Sequence, residues 1–327
     1  MIRHGLQKHW YDSDPSTALK PLGYLYSGVM ALRNRAYDNG WLTSYGVGTP
    51  VVVVGNIDIG GNGKTPMVMK LSRLLTARGW RVGIVARGYG AAKARRTLFP
   101  MRVMPDTDAA LAGDEPVMIA CRTGLPVVVD PDRVRGARYL INVNNVDVIL
   151  ADDGLQHRRL ARRFEIALVD AERGFGNGWC LPAGPLREPV ARLTSVNRVL
   201  SQGPDRDFIL VPEMPRNLAT GERRPLAAFS GSPVAALAGI AHPERFFSRL
   251  DHANIVYKAY RPGDHSQPPS KLLASELPVL MTDKDAVKWP SSQAERAWSI
   301  VVSIQFADEV QDDLMNAIET EIHTIRN

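Results

Sequence analysis

Cysteine is scarce in this chain of 327 residues, which contains only Cys121 and Cys180. Two cysteines exclude a disulfide framework and a cysteine-rich metal site, and they suit a reducing compartment. Low-complexity tracts are also lacking, whereas 45% of the residues are hydrophobic. We therefore expect a folded chain with one large domain or two smaller ones, each with its own core.

The N-terminal region has neither a signal-peptide pattern nor an apolar run long enough to span a bilayer. Its longest uncharged apolar stretch, PLGYLYSGVMAL at residues 21–32, is shorter than the ~20 residues that a membrane-spanning helix needs. Leu22, Tyr26, Val29 and Arg33 recur within and just after it at helical spacing. Two interpretations remain open: a helix that lies flat in a membrane interface, and a helix docked on the domain.

Acidic residues are fewer than basic ones, 34 against 40, which gives a formal net charge of +6. A basic balance suits an anionic partner such as a nucleotide, a nucleic acid or an acidic membrane surface. The sequence shows no basic patch with interleaved aromatic residues and no helix-turn-helix pattern. We therefore expect no nucleic-acid partner.

From residue 51 onward, short apolar runs alternate with helical patterns, which predicts a parallel sheet covered by helices on both faces. The predicted strands are 51–56, 80–87, 125–130, 146–152 and 164–170, and the predicted helices are 66–79, 114–123 and 132–143. A second alternating block has predicted strands at 234–240, 254–260, 279–283 and 299–306, and predicted helices at 243–250 and 308–325. Between the blocks, two short strand-like runs joined through Gly203 and Pro204 predict a hairpin linker.

The stretch GNIDIGGNGKTP, residues 55–66, joins a predicted strand to a predicted helix. Glycines in such a loop let backbone N–H groups and the helix dipole hold phosphate. Lys64 would reach the β- and γ-phosphates, and the Thr65 hydroxyl would bind Mg²⁺. The usual pattern has glycine where Asp58 stands, and Pro66 excludes a dinucleotide fingerprint. The predicted nucleotide-binding residues of the loop are Asp58, Ile59, Gly60, Gly61, Asn62, Gly63, Lys64 and Thr65.

A second motif, VDVILADDG at residues 146–154, places Asp152 and Asp153 at the carboxyl end of a predicted strand. A carboxylate at that point holds the metal ion of a Mg²⁺-nucleotide. An isolated Asp pair of this kind also fits a turn with Gly154. Taken with the phosphate loop, the motif predicts a magnesium site with Thr65, Asp152 and Asp153 as candidate ligands, and either aspartate fits as the direct ligand.

We therefore expect an α/β protein with a P-loop NTPase-like parallel sheet, helices on both faces, and a smaller second α/β domain joined by a β-hairpin linker. The predicted regions are a membrane-interface or substrate helix region (1–40), a P-loop nucleotide-binding domain (41–195), the hairpin linker (196–225) and a smaller C-terminal α/β domain (226–327).

Several motifs occur together in the order of one family. They are GNIDIGGNGKTP, RGYG (87–90), GDEP (113–116), DDGLQHRRL (152–160), RGFGNGWCLPAGPLREP (173–189), HPERFF (242–247) and TDKDAVK (282–288). On these residues the chain resembles the tetraacyldisaccharide 4′-kinases, the lipid A kinases of bacteria with an outer membrane, from about residue 20 to 290.

The resemblance implies transfer of the ATP γ-phosphate to the 4′-hydroxyl of a tetraacyldisaccharide 1-phosphate, an anionic acylated lipid, with ATP and Mg²⁺ as cofactors. It also implies a peripheral enzyme on the cytoplasmic face of the bacterial inner membrane. No protein partner is inferred.

In that family the aspartate of GDEP is the catalytic base and is assisted by a histidine, which implies Asp114 and His265 here. Asp114 also fits a helix N-cap with an acidic first turn, and the two roles are compatible. Glu115 is predicted either to bind Mg²⁺ or to complement the helix dipole.

Arg187, in LPAGPLREP, is the predicted catalytic cation, and Arg133, in DPDRV, is a second candidate that would contact the nucleotide. Gln156 and His157 are predicted to shape the metal site or the substrate site, and His157 ranks below Asp114 as a base. The basic cluster HRRLARR, residues 157–163, either faces substrate phosphate and lipid headgroups or forms a solvated basic face.

An alternative function is a deviant-Walker membrane-associated switch ATPase, which also uses a G-G-x-G-K-T loop. Such proteins carry a signature lysine where this chain has Ile59, and they lack a GDEP-like carboxylate. The TDKDAVK motif has its lysine in the wrong place for a guanine-specificity loop, so ATP is expected rather than GTP.

Overall fold

The computed structural model of the chain describes residues 10–11, 14–89, 98–240 and 242–324. Gly90 of the RGYG motif, residues 1–9 of the predicted N-terminal region and Ile325 at the end of the predicted closing helix lie outside these ranges.

Strands and helices alternate along the chain. The strands are β1 (Val51–Gly55), β2 (Val82–Ala86), β3 (Met101–Val103), β4 (Val127–Val129), β5 (Val148–Asp152), β6 (Phe164–Asp170), β7 (Arg198–Gln202), β8 (Phe208–Pro212), β9 (Arg216–Asn217), β10 (Val234–Leu237), β11 (Tyr257–Tyr260), β12 (Val279–Thr282), β13 (Ala297–Ile300) and β14 (Val302–Phe306). The α-helices are α1 (Lys20–Asp38), α2 (Lys64–Ala77), α3 (Ala109–Ala112), α4 (Asp114–Thr123), α5 (Arg133–Asn144), α6 (Pro243–His252), α7 (Ser270–Leu273), α8 (Asp283–Ala286) and α9 (Val310–His323). Short 3₁₀ helices span Val190–Ser195, Leu226–Phe229 and Ser291–Arg296.

The chain divides into two compact units, and each unit combines segments that are distant in sequence. The first unit comprises Met1–Arg87, Asp130–Ile209 and Ile304–Asn327. The second comprises Gly88–Val129 and Leu210–Ser303.

The first unit has β1 at the centre of its sheet, paired in parallel with β5 on one side and β6 on the other. β2 follows β5, and β7 follows β6, again in parallel. The four valines Val51–Val54 are at most 1% exposed, because a central parallel strand is covered on both faces. Met67, Leu71 and Leu75 of α2 are also fully buried. The predicted parallel sheet with packed helices is therefore confirmed.

The segment around Gly203 differs from the predicted antiparallel hairpin. β7 and β8 pair in parallel, at Gln202 and Phe208, and β8 lies next to β14 on its other side. Beside this pair of strands, the Ala307 N–H donates to Asp207 O at 2.9 Å. The intervening loop turns at Gly203 and at Asp205, whose φ is +54°. Two apolar runs beside Gly-Pro do not show which strand each of them will pair with.

The second unit contains a five-stranded sheet in the order β11-β10-β12-β13-β9. The first four strands are parallel, and β9 is antiparallel to β13. The α6 side chains Phe246, Phe247 and Leu250 pack on one face with Phe229 and Trp298. The other face is covered by Leu272, Trp289 and neighbouring apolar residues. The unit also contains the antiparallel pair β3–β4.

The run SIVVSIQF, predicted as one strand over residues 299–306, forms parts of two strands. β13 pairs with β12 in the five-stranded sheet, whereas β14 lies beside β8 in the other sheet. An uninterrupted β-branched run carries no turn residue to mark such a change, because periodicity reports burial and not the identity of the neighbouring strand.

Helix α1 is docked on the first unit along one side and exposed on the other. A Cβ at Gly23 would lie 2.8 Å from Ala183 Cβ, and Tyr26 Oη donates to Arg187 O at 3.1 Å. The opposite side exposes large apolar side chains, among them Tyr24 (69%), Leu25 (66%) and Leu32 (62%). Docking therefore leaves large apolar side chains of this helix exposed. In the described part of the chain, no helix has the length and apolarity needed to cross a membrane.

Candidate functional site

The phosphate loop of the first unit connects β1 to α2. Gly63 caps the helix in the left-handed region, with φ of +81°, a conformation that glycine adopts without a steric penalty. Lys64 is the first helical residue, and its Nζ donates to Gly60 O at 3.1 Å. The loop therefore wraps around the lysine at the positive end of α2, which is where a phosphate group binds best.

Asp58 stands where the usual P-loop pattern has glycine, and it braces the loop from inside. Only 4% of the residue is exposed, and its Oδ1 accepts hydrogen bonds of 2.8 Å from both Asn56 and Asn62. Burial raises the pKa of Asp58, while Lys64 opposes that shift. Because these amides occupy the carboxylate, we assign Asp58 to loop rigidity.

The Walker-type aspartates follow β5 as predicted and meet the helix start. Thr65 Oγ1 donates to Asp152 Oδ2 at 3.2 Å. Asp153 has a positive φ of +47° and lies 3.9 Å from Lys64 Nζ. Burial alone would raise the pKa of Asp153, but Lys64 and Arg187 outweigh it and lower the pKa to about 2. Asp153 is therefore ionised at neutral pH.

The oxygen donors of Thr65 and Asp152 suit Mg²⁺. Across residues 10–11, 14–89, 98–240 and 242–324, no group of three or more His, Cys, Asp or Glu side chains has the geometry of a metal site. Mg²⁺ in nucleotide sites uses one or two carboxylates together with substrate phosphates and water. A hydroxyl and a carboxylate at hydrogen-bonding distance beside a phosphate loop match that donor set.

Arg187 and Arg133, the two predicted cations, both contact the Asp152–Asp153 turn. Arg187 Nη1 lies 3.0 Å from each carboxylate oxygen of Asp153. Arg133 is 3% exposed, and its Nη2 donates to the carbonyl oxygen of Asp153 at 3.2 Å. Burial lowers the pKa of Arg133 to about 10, and its Nε has no hydrogen-bond partner. The described contacts leave donor capacity in a buried cation, as expected of a residue that contacts a ligand.

Gln156 links three segments of the site. Its side-chain Nε2 donates to Asn56 O and to Glu188 Oε1, each at 2.9 Å. Its backbone carbonyl oxygen accepts from Arg33 Nη2 of α1 at 2.7 Å. Glu188 is fully buried. It was not predicted as a site residue, although a glutamate inside the LPAGPLREP motif was a sequence signal for one. Burial lowers the pKa of His157 to about 4, so this histidine is neutral at physiological pH.

The arginines of the basic cluster are largely engaged in contacts within the protein. Arg158 pairs with Asp38 at 2.6 Å, Arg159 with Asp132 at 2.9 Å, and Arg162 with Glu165 at 2.8 Å. Arg158 thereby holds the end of α1. These three side chains form neither a wholly solvated face nor a free anion site.

The second unit contains the other predicted catalytic pair. Asp114 is the first residue of α4, and the N-cap position belongs to Gly113, so the capping role considered for Asp114 is wrong. Asp114 is 5% exposed, and its Oδ2 lies 3.0 Å from His265 Nδ1. Burial alone would raise the pKa of Asp114, but His265 and Lys288 outweigh it and lower the pKa.

His265 is held in an unusual backbone conformation. Its φ is +62°, which is uncommon for a residue with a Cβ and recurs at functional sites. Its Nε2 lies 3.4 Å from Asp264 Oδ2, and its ring stacks at an angle on Tyr89, with centroids 5.5 Å apart. The strain and the two carboxylates fix the imidazole beside Asp114.

Glu115, predicted as a metal ligand or a dipole complement, lies in the first turn of α4 and pairs with Lys284 Nζ at 3.3 Å. It belongs to the second unit, whereas Thr65, Asp152 and Asp153 belong to the first. Sequence reasoning did not single out Lys284 and Lys288 as site residues. Both lie in TDKDAVK, a motif noted for its order along the chain and not for chemistry.

The phosphate loop, its lysine and the Walker-type aspartates on a parallel sheet define a P-loop phosphotransferase, and Arg187 adds a cation at the same turn. The chain belongs to the tetraacyldisaccharide-1-P 4′-kinase (LpxK) family, whose model matches residues 15–320.

Proteins of similar sequence or structure match nearly the whole length of this chain. The tetraacyldisaccharide 4′-kinase of Pseudomonas aeruginosa strain LESB58 is 47% identical over 305 residues, covering 90% of each chain. That of Stenotrophomonas maltophilia strain R551-3 is 47% identical over 297 residues, covering 86% of each. The crystal structure of LpxK from Aquifex aeolicus in complex with ATP superposes with a TM-score of 0.78 at 26% identity, covering 94% of this chain and 99% of that one.

Proposed function

We propose that this chain transfers the γ-phosphate of ATP to the 4′-hydroxyl of a tetraacyldisaccharide 1-phosphate, a step of lipid A biosynthesis. The observation that carries the proposal is the buried Asp114–His265 pair, at 3.0 Å, in a protein that also contains a phosphate loop. A kinase needs a base for an alcohol acceptor, whereas a nucleotide switch does not. Family membership supports the same reaction.

The first unit binds the nucleotide. Backbone N–H groups of residues 60–65 surround the phosphates, and Lys64 neutralises charge on the β- and γ-phosphates. Arg187 and Arg133 add guanidinium groups whose planar donors suit phosphate oxygens. Positioning and electrostatic stabilisation supply most of the catalysis in phosphoryl transfer, so these cations contribute to the rate as well as to binding.

Thr65, Asp152 and Asp153 would hold Mg²⁺, since they present a hydroxyl and two carboxylates at the start of α2 and the end of β5. Bound there, the ion would offset the negative charge of the β- and γ-phosphates. Because Asp153 stays ionised down to very low pH, protonation does not compete with this role near neutral pH.

Asp114 acts as the base toward the acceptor hydroxyl. The carboxylate is ionised at neutral pH because its pKa is lowered, so it can accept a hydrogen bond from the alcohol and take its proton as the O–P bond forms. His265 restricts the carboxylate to one orientation, which reduces the entropy lost on reaching the transition state.

The acceptor is an anionic acylated lipid, and we infer that the enzyme works as a peripheral protein on the cytoplasmic face of the inner membrane. Support comes from the outward side of α1, where Tyr24, Leu25 and Leu32 are more than 60% exposed. Apolar side chains on a helix flanked by basic residues bind the interface of an anionic bilayer. The formal net charge of +6 favours the same surface.

The test is to incubate the purified protein with Mg²⁺-ATP and the disaccharide lipid and to locate the new phosphate by mass spectrometry and ³¹P NMR. Phosphate on the 4′-oxygen, with ATP turnover that requires the lipid, is the expected result. Equal ATP turnover without lipid, accompanied by ATP-driven dimerisation, would instead support the switch ATPase.

A further inference from the structure

Lys288, the last residue of TDKDAVK, is a buried cation in contact with the proposed base. Its side chain is 2% exposed, and its Nζ lies 3.3 Å from Asp114 Oδ2 and 3.3 Å from Asp285 Oδ1. A buried ammonium group is costly unless carboxylates compensate it. Here two carboxylates lie at ion-pair distance, although Nζ makes no hydrogen bond with any described residue, and one of them belongs to the residue assigned to proton transfer.

Asp285 is itself held by the ends of two neighbouring parallel strands, β10 and β12. It is 1% exposed, and its Oδ2 accepts from Gly239 N at 2.8 Å and from Thr282 Oγ1 at 2.6 Å. A Cβ at residue 239 would lie 2.7 Å from Asp285 Oδ1, so only glycine leaves room for this carboxylate. The position of Lys288 is thereby fixed by the backbone that follows β10.

Both cationic or hydrogen-bonding neighbours of Asp114 approach the same oxygen. His265 Nδ1 lies 3.0 Å from Oδ2, and Lys288 Nζ lies 3.3 Å from Oδ2. These two contacts restrain Oδ2, and we infer that Oδ1 accepts the hydrogen bond of the acceptor hydroxyl.

We propose that Lys288, anchored by Asp285, is a positioning residue for phosphoryl transfer that holds the Asp114 carboxylate in the orientation that accepts the alcohol proton. This inference rests on the proposed role of Asp114 as base. It gives the TDKDAVK motif a chemical function: α8 and the turn after it deliver an ammonium group to the base. Nucleotide affinity is not expected to depend on Lys288, since its contacts are with the base and with Asp285.

The experiment is a double-mutant cycle between Lys288→Met, which keeps the side-chain length, and Asp114→Asn. We expect K288M to lower kcat ~10- to 100-fold with the KM for ATP within ~2-fold. If Lys288 acts through Asp114, the double variant should be no slower than D114N alone. Lys288→Arg should recover part of the loss, because it restores the charge.

Lys258→Met is the control, since Lys258 is an exposed lysine of β11 in the same unit and its Nζ lies over the Tyr260 ring, 5.7 Å from the centroid. Its kcat should fall much less than that of K288M, and equal falls would overturn the proposal. Thermal unfolding identifies variants that fail to fold. Should K288M be one, Asp285→Asn decides instead, because it releases Lys288 without removing the ammonium: a normal kcat for D285N would then overturn the proposal.

The two proposals fail in different ways. If D114N has a low kcat and K288M has a normal kcat, the role of Lys288 alone is overturned. The same holds if adding K288M to D114N lowers kcat further. A D114N enzyme with normal kcat would overturn the role of Asp114 as base, and the role of Lys288 with it.

Discussion

Arg187 Nη1 lies 3.0 Å from both carboxylate oxygens of Asp153, so one guanidinium nitrogen bridges the acid at the end of β5. Lys64 Nζ lies 3.9 Å from the same carboxylate. Two cations thus gather around one anion beside the phosphate loop. Thr65, Asp152 and Asp153 would hold Mg²⁺ here, where the ion would offset phosphate charge, and Arg187 and Lys64 would be placed to contact the phosphates.

Arg187→Met is expected to lower kcat by about 10²-fold or more, because a cation aimed at developing phosphate charge acts mainly in the transition state. Arg187→Lys should recover only part of the rate, since an ammonium lacks the planar fork. Steady-state kinetics with saturating lipid measures both. Arg159→Met is the control: it removes an arginine of the same unit that pairs with Asp132, and a similar loss there would contradict a specific role for Arg187.

Thr65→Val removes a metal-binding hydroxyl while keeping the side-chain shape. We expect the Mg²⁺ concentration for half-maximal rate to rise about tenfold, with a smaller change at saturating Mg²⁺. Chelation with EDTA should abolish activity of the wild type. A Mg²⁺ titration that is unaltered by the substitution would remove Thr65 from the metal site.

Asp114→Ala should lower kcat much more than it weakens ATP binding, because the base acts in the chemical step. A loss of about 10²- to 10⁴-fold in kcat is the usual range for removing a general base. Isothermal titration with a non-hydrolysable ATP analogue gives the affinity separately. If kcat and nucleotide affinity fell by the same factor, Asp114 would be contributing to binding and not to proton transfer.

The exposed side of α1 predicts the behaviour of the protein on vesicles. Replacing Leu25 and Leu32 with serine should weaken flotation with anionic vesicles at least tenfold, because burying each leucine contributes about 1.5–3 kcal/mol. Deleting residues 1–35 should have a larger effect. Val256→Ser, which alters a side chain of the second unit that is 64% exposed, is the control. Flotation that survives both α1 changes would contradict the interfacial role of this helix.

Glu319 ties α9 to the segment that follows α2 and predicts a pH-dependent contribution to stability. Its carboxylate accepts from Arg78 at 2.7 Å and from Trp80 at 2.9 Å. Burial alone would raise its pKa, but these two bonds outweigh it and lower the pKa below the ordinary 4.5. We expect Glu319→Gln to cost about 1 kcal/mol at pH 7, since such a bond is partly screened by solvent.

A folded-state pKa below the unfolded value adds stability above the unfolded pKa, and that stability is lost as the pH falls through the folded pKa. The difference in unfolding free energy between wild type and E319Q should therefore be constant near neutral pH and shrink below about pH 4.5. Urea denaturation at several pH values measures it. A difference that grows on acidification would have the wrong sign for this pair.

Much of the fold was predictable because local signals agreed with the tertiary structure. Helix α4 spans 114–123 as predicted, since Gly113 and Gly124 mark both ends, and β6 spans 164–170 as predicted. The pairing at Gln202 and the division of 299–306 were not predictable, because strand partners depend on contacts between residues distant in sequence.

Site residues were predictable where a sequence motif indicates their chemical role, and less so where no motif indicates it. Lys64 and Thr65 follow from the loop pattern, and the structure places Thr65 against Asp152. Asp114 and His265 are 151 positions apart, so only the family resemblance paired them. Lys288 was missed because a lysine in an amphipathic segment is usually a solvent-exposed residue, and only the fold shows that it is buried.

The order in which the two units can fold during synthesis follows from the way their segments alternate along the chain. Asp114 emerges from the ribosome early, but its partners His265 and Lys288 lie in the segment Leu210–Ser303, and the first unit still awaits Ile304–Asn327 when that segment is finished. Neither unit can therefore complete its core while the nascent chain is short, and the second unit has all its segments before the first unit does. Premature termination before the segment Leu210–Ser303 is finished would leave both units incomplete, so we expect such truncated products to be degraded.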